Sequence, residues 1–123
     1  PKYSENTRFD FLISQNSKKY FLEVKNVTLV RKNKIAEFPD AVTSRGTKHL
    51  KELINAKKKG FESCILFLIQ REDCNYFKIA KDIDQEYKLR FIQAINSGVK
   101  VLCYDCVLNN EGIKLNNQIN YDK

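Results

Sequence analysis

A chain of 123 residues with 42% hydrophobic content can bury one core but not two, so one domain over residues 1–123 is expected. A net charge of +7 suits a polyanionic partner such as DNA, because lysines near phosphates release condensed counterions. No run approaches the ~20 apolar residues of a membrane span, and PKYSENTRF lacks the apolar segment of an export signal, which points to the cytoplasm. The chain does not start with Met, which suggests a fragment or a processed product.

Residues 8–14 and 19–30 are rich in Phe, Tyr, Leu, Val and Ile around the polar QNSK, which predicts a β-hairpin. Its second arm is expected to run on through NVTLV to a basic turn, RKNK at 31–34, with a short return at 35–38. Residues 39–46 form a loop into a helix over about 44–59, with Leu50, Leu53 and Ile54 on one face and Gly60 as its stop. The apolar run at 63–70 is a strand covered on both faces. A polar link containing REDCNYFKIA leads to Asp84, the expected N-cap of a helix over about 85–97. That helix turns Tyr87, Phe91, Ala94 and Ile95 inward and ends at Gly98. Residues 99–108 are a last buried strand, and the Asn-rich 109–123 is expected to be a loosely structured tail, a weak hairpin at best. The order β-β-β-α-β-α-β predicts an α/β fold, a mixed β-sheet flanked by helices.

The two arms of the first hairpin carry charges within apolar runs, Asp10 in RFDFLI and Glu23 with Lys25 in YFLEVKNV. A loop centred between Asn16 and Ser17 pairs residues whose numbers sum to 33, which sets Asp10 opposite Glu23 and Arg8 opposite Lys25. Asp10, Glu23 and Lys25 then project from one face. Like charges opposed across a ladder are destabilising unless a cation lies between them or one carboxyl is protonated. A hard divalent ion, Mg²⁺ or Mn²⁺, suits two carboxylates, and the lysine can position a water or offset growing negative charge.

An acid followed about a dozen residues later by Glu-x-Lys on the next strand resembles the signature of the restriction-endonuclease-like PD-(D/E)xK fold. The literal Pro-Asp at 39–40 follows the Glu-x-Lys and lies in a loop, so Asp10 takes the acidic position, and Asp40 is expected to be a cap or turn residue, with a place at the edge of the site as the alternative. The resemblance extends further. TRFDFLI, YFLEVKNVTLV, AEFPDAVTSRGTKHLKEL and ILFLIQR, with GVKVLCY near the end, are similar to the sugar fermentation stimulation protein family over residues 3–108. The family implies a DNA-binding protein linked to regulation of sugar (maltose) utilisation, with a nuclease-like C-terminal domain preceded by an OB-like domain that this chain lacks. Asp10, Glu23 and Lys25 match its acidic and Glu-x-Lys positions. Glu5 matches an acid just upstream and a possible outer metal ligand, and Gln70 ends the strand after the first helix. Arg45, Lys48 and His49 fall at a helix N-terminus, where free N–H groups and the dipole favour phosphate.

Each reading has a plainer competitor. Asp10, Glu23 and Lys25 could belong to a structural Glu–Lys or Asp–Arg pair on a solvated sheet face, and His49 could be a surface helix residue. Lys32 and Lys34 in the basic turn could contact DNA or be solvated charge. Cys103 and Cys106 have ligand-like spacing, but residues three apart on a strand face opposite ways, so reduced, buried thiols are expected. The functions that follow are DNA binding without strong sequence readout, Mg²⁺- or Mn²⁺-dependent phosphodiester cleavage, or a catalytically dead regulator acting through partners.

Overall fold

The computed structural model describes residues 2–4, 7–8, 11–15 and 18–123, with side chains from residue 19 onward apart from position 108. The first half carries strands β1 (Lys2–Ser4), β2 (Thr7–Arg8), β3 (Phe11–Gln15), β4 (Lys18–Val27), β5 (Leu29–Lys32) and β6 (Ile35–Phe38). Helix α1 (Ser44–Lys58), strands β7 (Glu62–Ile69) and β8 (Tyr76–Ile79) and helix α2 (Gln85–Asn96) follow. Strands β9 (Lys100–Asn109), β10 (Gly112–Gln118) and β11 (Asn120–Tyr121) complete the order. Apart from the small β1–β2 pair, the strands form two sheets, β10-β9-β7-β4-β3 and β11-β8-β6-β5.

The α/β class and the mixed pairing are as expected: β3–β4 is antiparallel, while β4–β7 and β7–β9 are parallel. The expected single sheet is corrected to two. The second hairpin arm breaks at Thr28, and β5 leaves the first sheet to pair with β6 in the second. The link containing REDCNYFKIA is not merely a connection, because Tyr76–Ile79 forms β8 beside β6, with Phe77 and Ile79 buried. Four residues are too few to show an apolar period against polar flanks.

The loosely structured tail is likewise corrected: β10 pairs antiparallel with β9, and β11 pairs parallel with β8. Every residue of β10 is exposed, so backbone hydrogen bonds rather than burial hold it, and hydropathy carries no trace of it.

Both sheets meet at Phe67 on β7, whose ring lies 4.6 Å from Phe77, 5.6 Å from Phe38 and 5.9 Å from Phe91, centroid to centroid. One aromatic cluster therefore joins the first sheet, the second sheet and α2. The helix faces are as the sequence predicts: Leu50, Leu53 and Ile54 are buried on α1, and Tyr87, Phe91 and Ala94 on α2.

Both helices end alike. Gly60 and Gly98 adopt φ of +93° and +95°, the left-handed conformation that costs glycine nothing. Phe61 N–H then donates to the Ala56 carbonyl, and Val99 N–H to that of Ala94, closing a Schellman cap at each end.

The helix starts are coupled through Asp84. One carboxylate oxygen accepts from Tyr87 N–H at 3.1 Å and caps α2, as expected. The other accepts from Thr43 N–H at 2.9 Å, and Thr43 in turn caps α1 by accepting from Gly46 N–H at 2.9 Å. Asp84→Ala should therefore cost about 2–3 kcal/mol, a lost cap plus an unsatisfied backbone donor. Urea unfolding should show a lower midpoint at unchanged slope. A loss below about 0.5 kcal/mol would mean that the link to Thr43 contributes nothing.

Candidate functional site

Alternation along β4 turns Phe21, Glu23, Lys25 and Val27 to one face, and Phe21 and Val27 belong to the core. In the parallel ladder to β7, Glu23 lies beside Ile65 and Lys25 beside Phe67, both fully buried. Glu23 is only 3% exposed, so the solvated-face reading of this pair fails. A carboxylate in such surroundings costs several kcal/mol unless cations or donors face it.

Those partners come from two elements. Lys25 Nζ stands 3.7 Å from Glu23 Oε1 on the same strand. From α1, His49 Nδ1 stands 3.5 Å from that oxygen and 2.8 Å from Lys25 Nζ. His49 is thus not the surface residue of the plainer reading. It shares the buried stripe of α1 with Gly46, Leu50 and Leu53, at helical spacings of three and four. That spacing was the available signal. Tyr87 adds to the neighbourhood: burial first, then the charges of Glu23 and Asp84, push its phenol well above the usual range.

The hairpin register also agrees with the sequence. Five β3–β4 pairs, from Gln15↔Lys18 to Phe11↔Leu22, all keep the expected sum. Asp10 and Glu5 lie outside the described residues, as does the side chain of Arg8.

The PD-(D/E)xK resemblance implies a divalent cation. Among the described residues no three His, Cys, Asp or Glu side chains cluster as ligands. What is present fits a hard ion in kind: a buried carboxylate on an inner strand of the sheet.

The remaining predicted residues are spread more widely. Arg45 and Lys48 are exposed in the first turns of α1, the helix that carries His49 inward. Lys32 and Lys34 are exposed where β5 turns into β6, in the second sheet, and the Lys34 carbonyl accepts from Asn75 N–H. Gln70 follows β7, and its side-chain amide donates to Asn26 Oδ1 at 2.8 Å, on the side of β4 facing away from Lys25. Asp40 is exposed ahead of Thr43, the residue that caps α1.

All four cysteines are free, and burial pushes the Cys64 thiol up to about 11 and Cys103 to about 12, so both stay protonated. No helix among the described residues is long and apolar enough to cross a membrane.

A second acid is equally buried, and the sequence did not single it out. Glu37 on β6 is 3% exposed and receives two hydrogen bonds from Arg31, at 2.6 and 3.0 Å. The same guanidinium donates twice to Asp82, at 2.7 and 2.8 Å, closing the β5–β6 hairpin onto the segment before α2.

Comparison with known proteins places these features in a lineage. The family described as "Sugar fermentation stimulation protein RE domain" matches residues 1–112. A "Sugar fermentation stimulation protein homolog" of Pelagibacter ubique is 55% identical over 117 residues, covering 95% of this chain and 50% of that protein. The homolog of Roseobacter denitrificans is 44% identical over 115 residues, covering 93% and 49%. The chain thus spans about half the length of the curated relatives it matches. The solved structure of Pyrococcus furiosus SfsA in complex with Ca²⁺ superposes with a TM-score of 0.90 at 27% identity, over 100% of this chain and 53% of that one.

The Arg31 clasp predicts an acid response. Hydrogen bonds from Arg31 hold the Asp82 carboxyl down at about 2, below its usual ~3.9. A depressed carboxyl stabilises the fold above its unfolded value and loses that contribution as pH falls through the folded one. Wild type should therefore exceed Asp82→Asn in stability at pH 6, with the gap closing between about pH 4 and 2. Urea melts across that range would refute the clasp if the gap stayed constant.

Proposed function

The chain belongs to the sugar fermentation stimulation protein family, and we propose that this portion of the protein binds DNA and cleaves phosphodiester bonds with a divalent cation. The observation that carries the reading is the buried acid of Glu23 with Lys25 and His49 gathered at its Oε1. An apolar pair could fill the same volume at no cost to stability, so desolvating these charges is better explained by chemistry than by folding. The Ca²⁺ held by the Pyrococcus furiosus relative supports a site for a hard, oxygen-seeking ion.

Asp10 and Glu23 would hold Mg²⁺ or Mn²⁺, with Glu5 as an outer ligand. When bound, such an ion supplies Lewis acidity to a phosphate oxygen. Lys25 presents a positive charge beside the carboxylate, where it would orient the attacking water and offset negative charge that grows on phosphate. Arg45 and Lys48 flank the start of α1, whose N–H groups and dipole favour a neighbouring phosphate. Arg8, Lys32 and Lys34 would extend the backbone contacts, and Gln70 would stand at the margin. Phosphate contacts position without reading bases, so binding should be nearly indifferent to sequence.

A second reading, a regulator of sugar utilisation that binds DNA without cutting it, draws on the +7 charge. One experiment separates the two. Wild type and Glu23→Gln are incubated with DNA in Mg²⁺ or Mn²⁺, and affinity is titrated against salt. Cleavage should fall about 100-fold or more in the variant, while affinity holds or rises because a negative charge near phosphate is gone. No cutting by wild type with either metal would defeat the nuclease reading. A flat plot of log K against log salt would defeat DNA binding altogether.

A further inference from the structure

We infer that His49 is a positioning residue that holds the Lys25 ammonium through Nδ1 and keeps it from closing on the Glu23 carboxylate. The inference deepens the proposed function and rests on it for its consequence, though not for its geometry. Lysine carries donors and no acceptor, and an imidazolium likewise only donates. With Lys25 as an ammonium, the 2.8 Å contact between its Nζ and His49 Nδ1 is a hydrogen bond only to a neutral ring protonated on Nε2, with the Nδ1 lone pair aimed at the lysine.

Of His49 and Glu23, the histidine is the nearer to the lysine. Its nitrogen is 2.8 Å from the histidine and 3.7 Å from Glu23 Oε1, whereas a charge-assisted bond to a carboxylate would close to ~2.8 Å. Glu23 and Lys25 are two residues apart on one strand face, within reach of each other through a flexible four-carbon stem. A lysine closed fully onto Glu23 would compete with a cation for the same oxygen. A neutral acceptor on a separate element relieves that competition without adding a second negative charge.

The element that carries the acceptor is well fixed. His49 follows one turn after Gly46, and α1 is capped there by Thr43, itself tied to Asp84. Gly46 lets Tyr87 pack against the helix, since a Cβ at that position would lie 3.0 Å from Tyr87 Cε1. The imidazole is therefore held by the same packing that holds α2.

His49 is the only histidine in the chain, so its ring nitrogens can be read directly by ¹⁵N NMR. At neutral pH the wild type should show Nε2–H with unprotonated Nδ1. An Nδ1–H ring or an imidazolium there would overturn the inference, whatever the protein does with metal or DNA. The consequence is read by Mn²⁺ titration and DNA cleavage. His49→Leu should weaken Mn²⁺ binding and lower kcat by about tenfold or more, with KM for DNA within about twofold, the size of effect seen when groups behind a metal ligand are removed.

Two rescues separate positioning from mere packing. His49→Asn, whose Oδ1 can take the place of Nδ1, should recover most of both losses. Adding Lys25→Met to His49→Leu should restore Mn²⁺ affinity but not kcat. A histidine that only fills space would show neither rescue, and that result would overturn the inference. Failure of wild type to bind Mn²⁺ would sink the proposed function instead, leaving the tautomer to decide the lysine contact.

Discussion

Strand alternation sets Glu23 on the same face of β4 as Phe21 and Val27, and the charged groups around it answer to that placement. The face cannot be turned outward without exposing Phe21 and Val27, because a strand has only two faces. Lys25 follows on the same strand, and α1 contributes His49 from above. The site is thus a consequence of register in the first sheet and of where α1 begins.

That beginning is set by the rest of the domain. The aromatic cluster around Phe67 fixes the second sheet and α2 against β7. Asp84, at the start of α2, then ties down the residue that caps α1. The chain of contacts runs from core to helix start to imidazole, so the positions of Lys25 and His49 rest on ordinary packing and capping.

Much of this was legible in the sequence because it is local. The hairpin register followed from turn position, the helix bounds from Asp84, Gly60 and Gly98, and the acid–lysine pair from strand alternation. What escaped is what the sequence encodes only through three-dimensional pairing. The break at Thr28 that divides one sheet into two has no compositional mark. Strand β10 is exposed throughout and held by its backbone, and β8 is four residues long. His49 is expected beside Arg45 and Lys48 at a phosphate-facing helix start, although its spacing to Gly46 and Leu53 already sets it on the buried stripe.

The two buried glutamates show how the same burial can serve different ends. Glu37 and Glu23 are each 3% exposed. Glu37 is gripped by one guanidinium through two short hydrogen bonds, the geometry that best offsets the cost of desolvation. Around Glu23 the described cation and imidazole stand 3.7 and 3.5 Å from Oε1, closer to each other than to the acid. A carboxylate kept only for stability gains most from a tight, bidentate partner, as Glu37 has. That bidentate grip marks Glu37 as structural, whereas Glu23 lies between groups brought by two elements, a lysine of its own strand and an imidazole of α1.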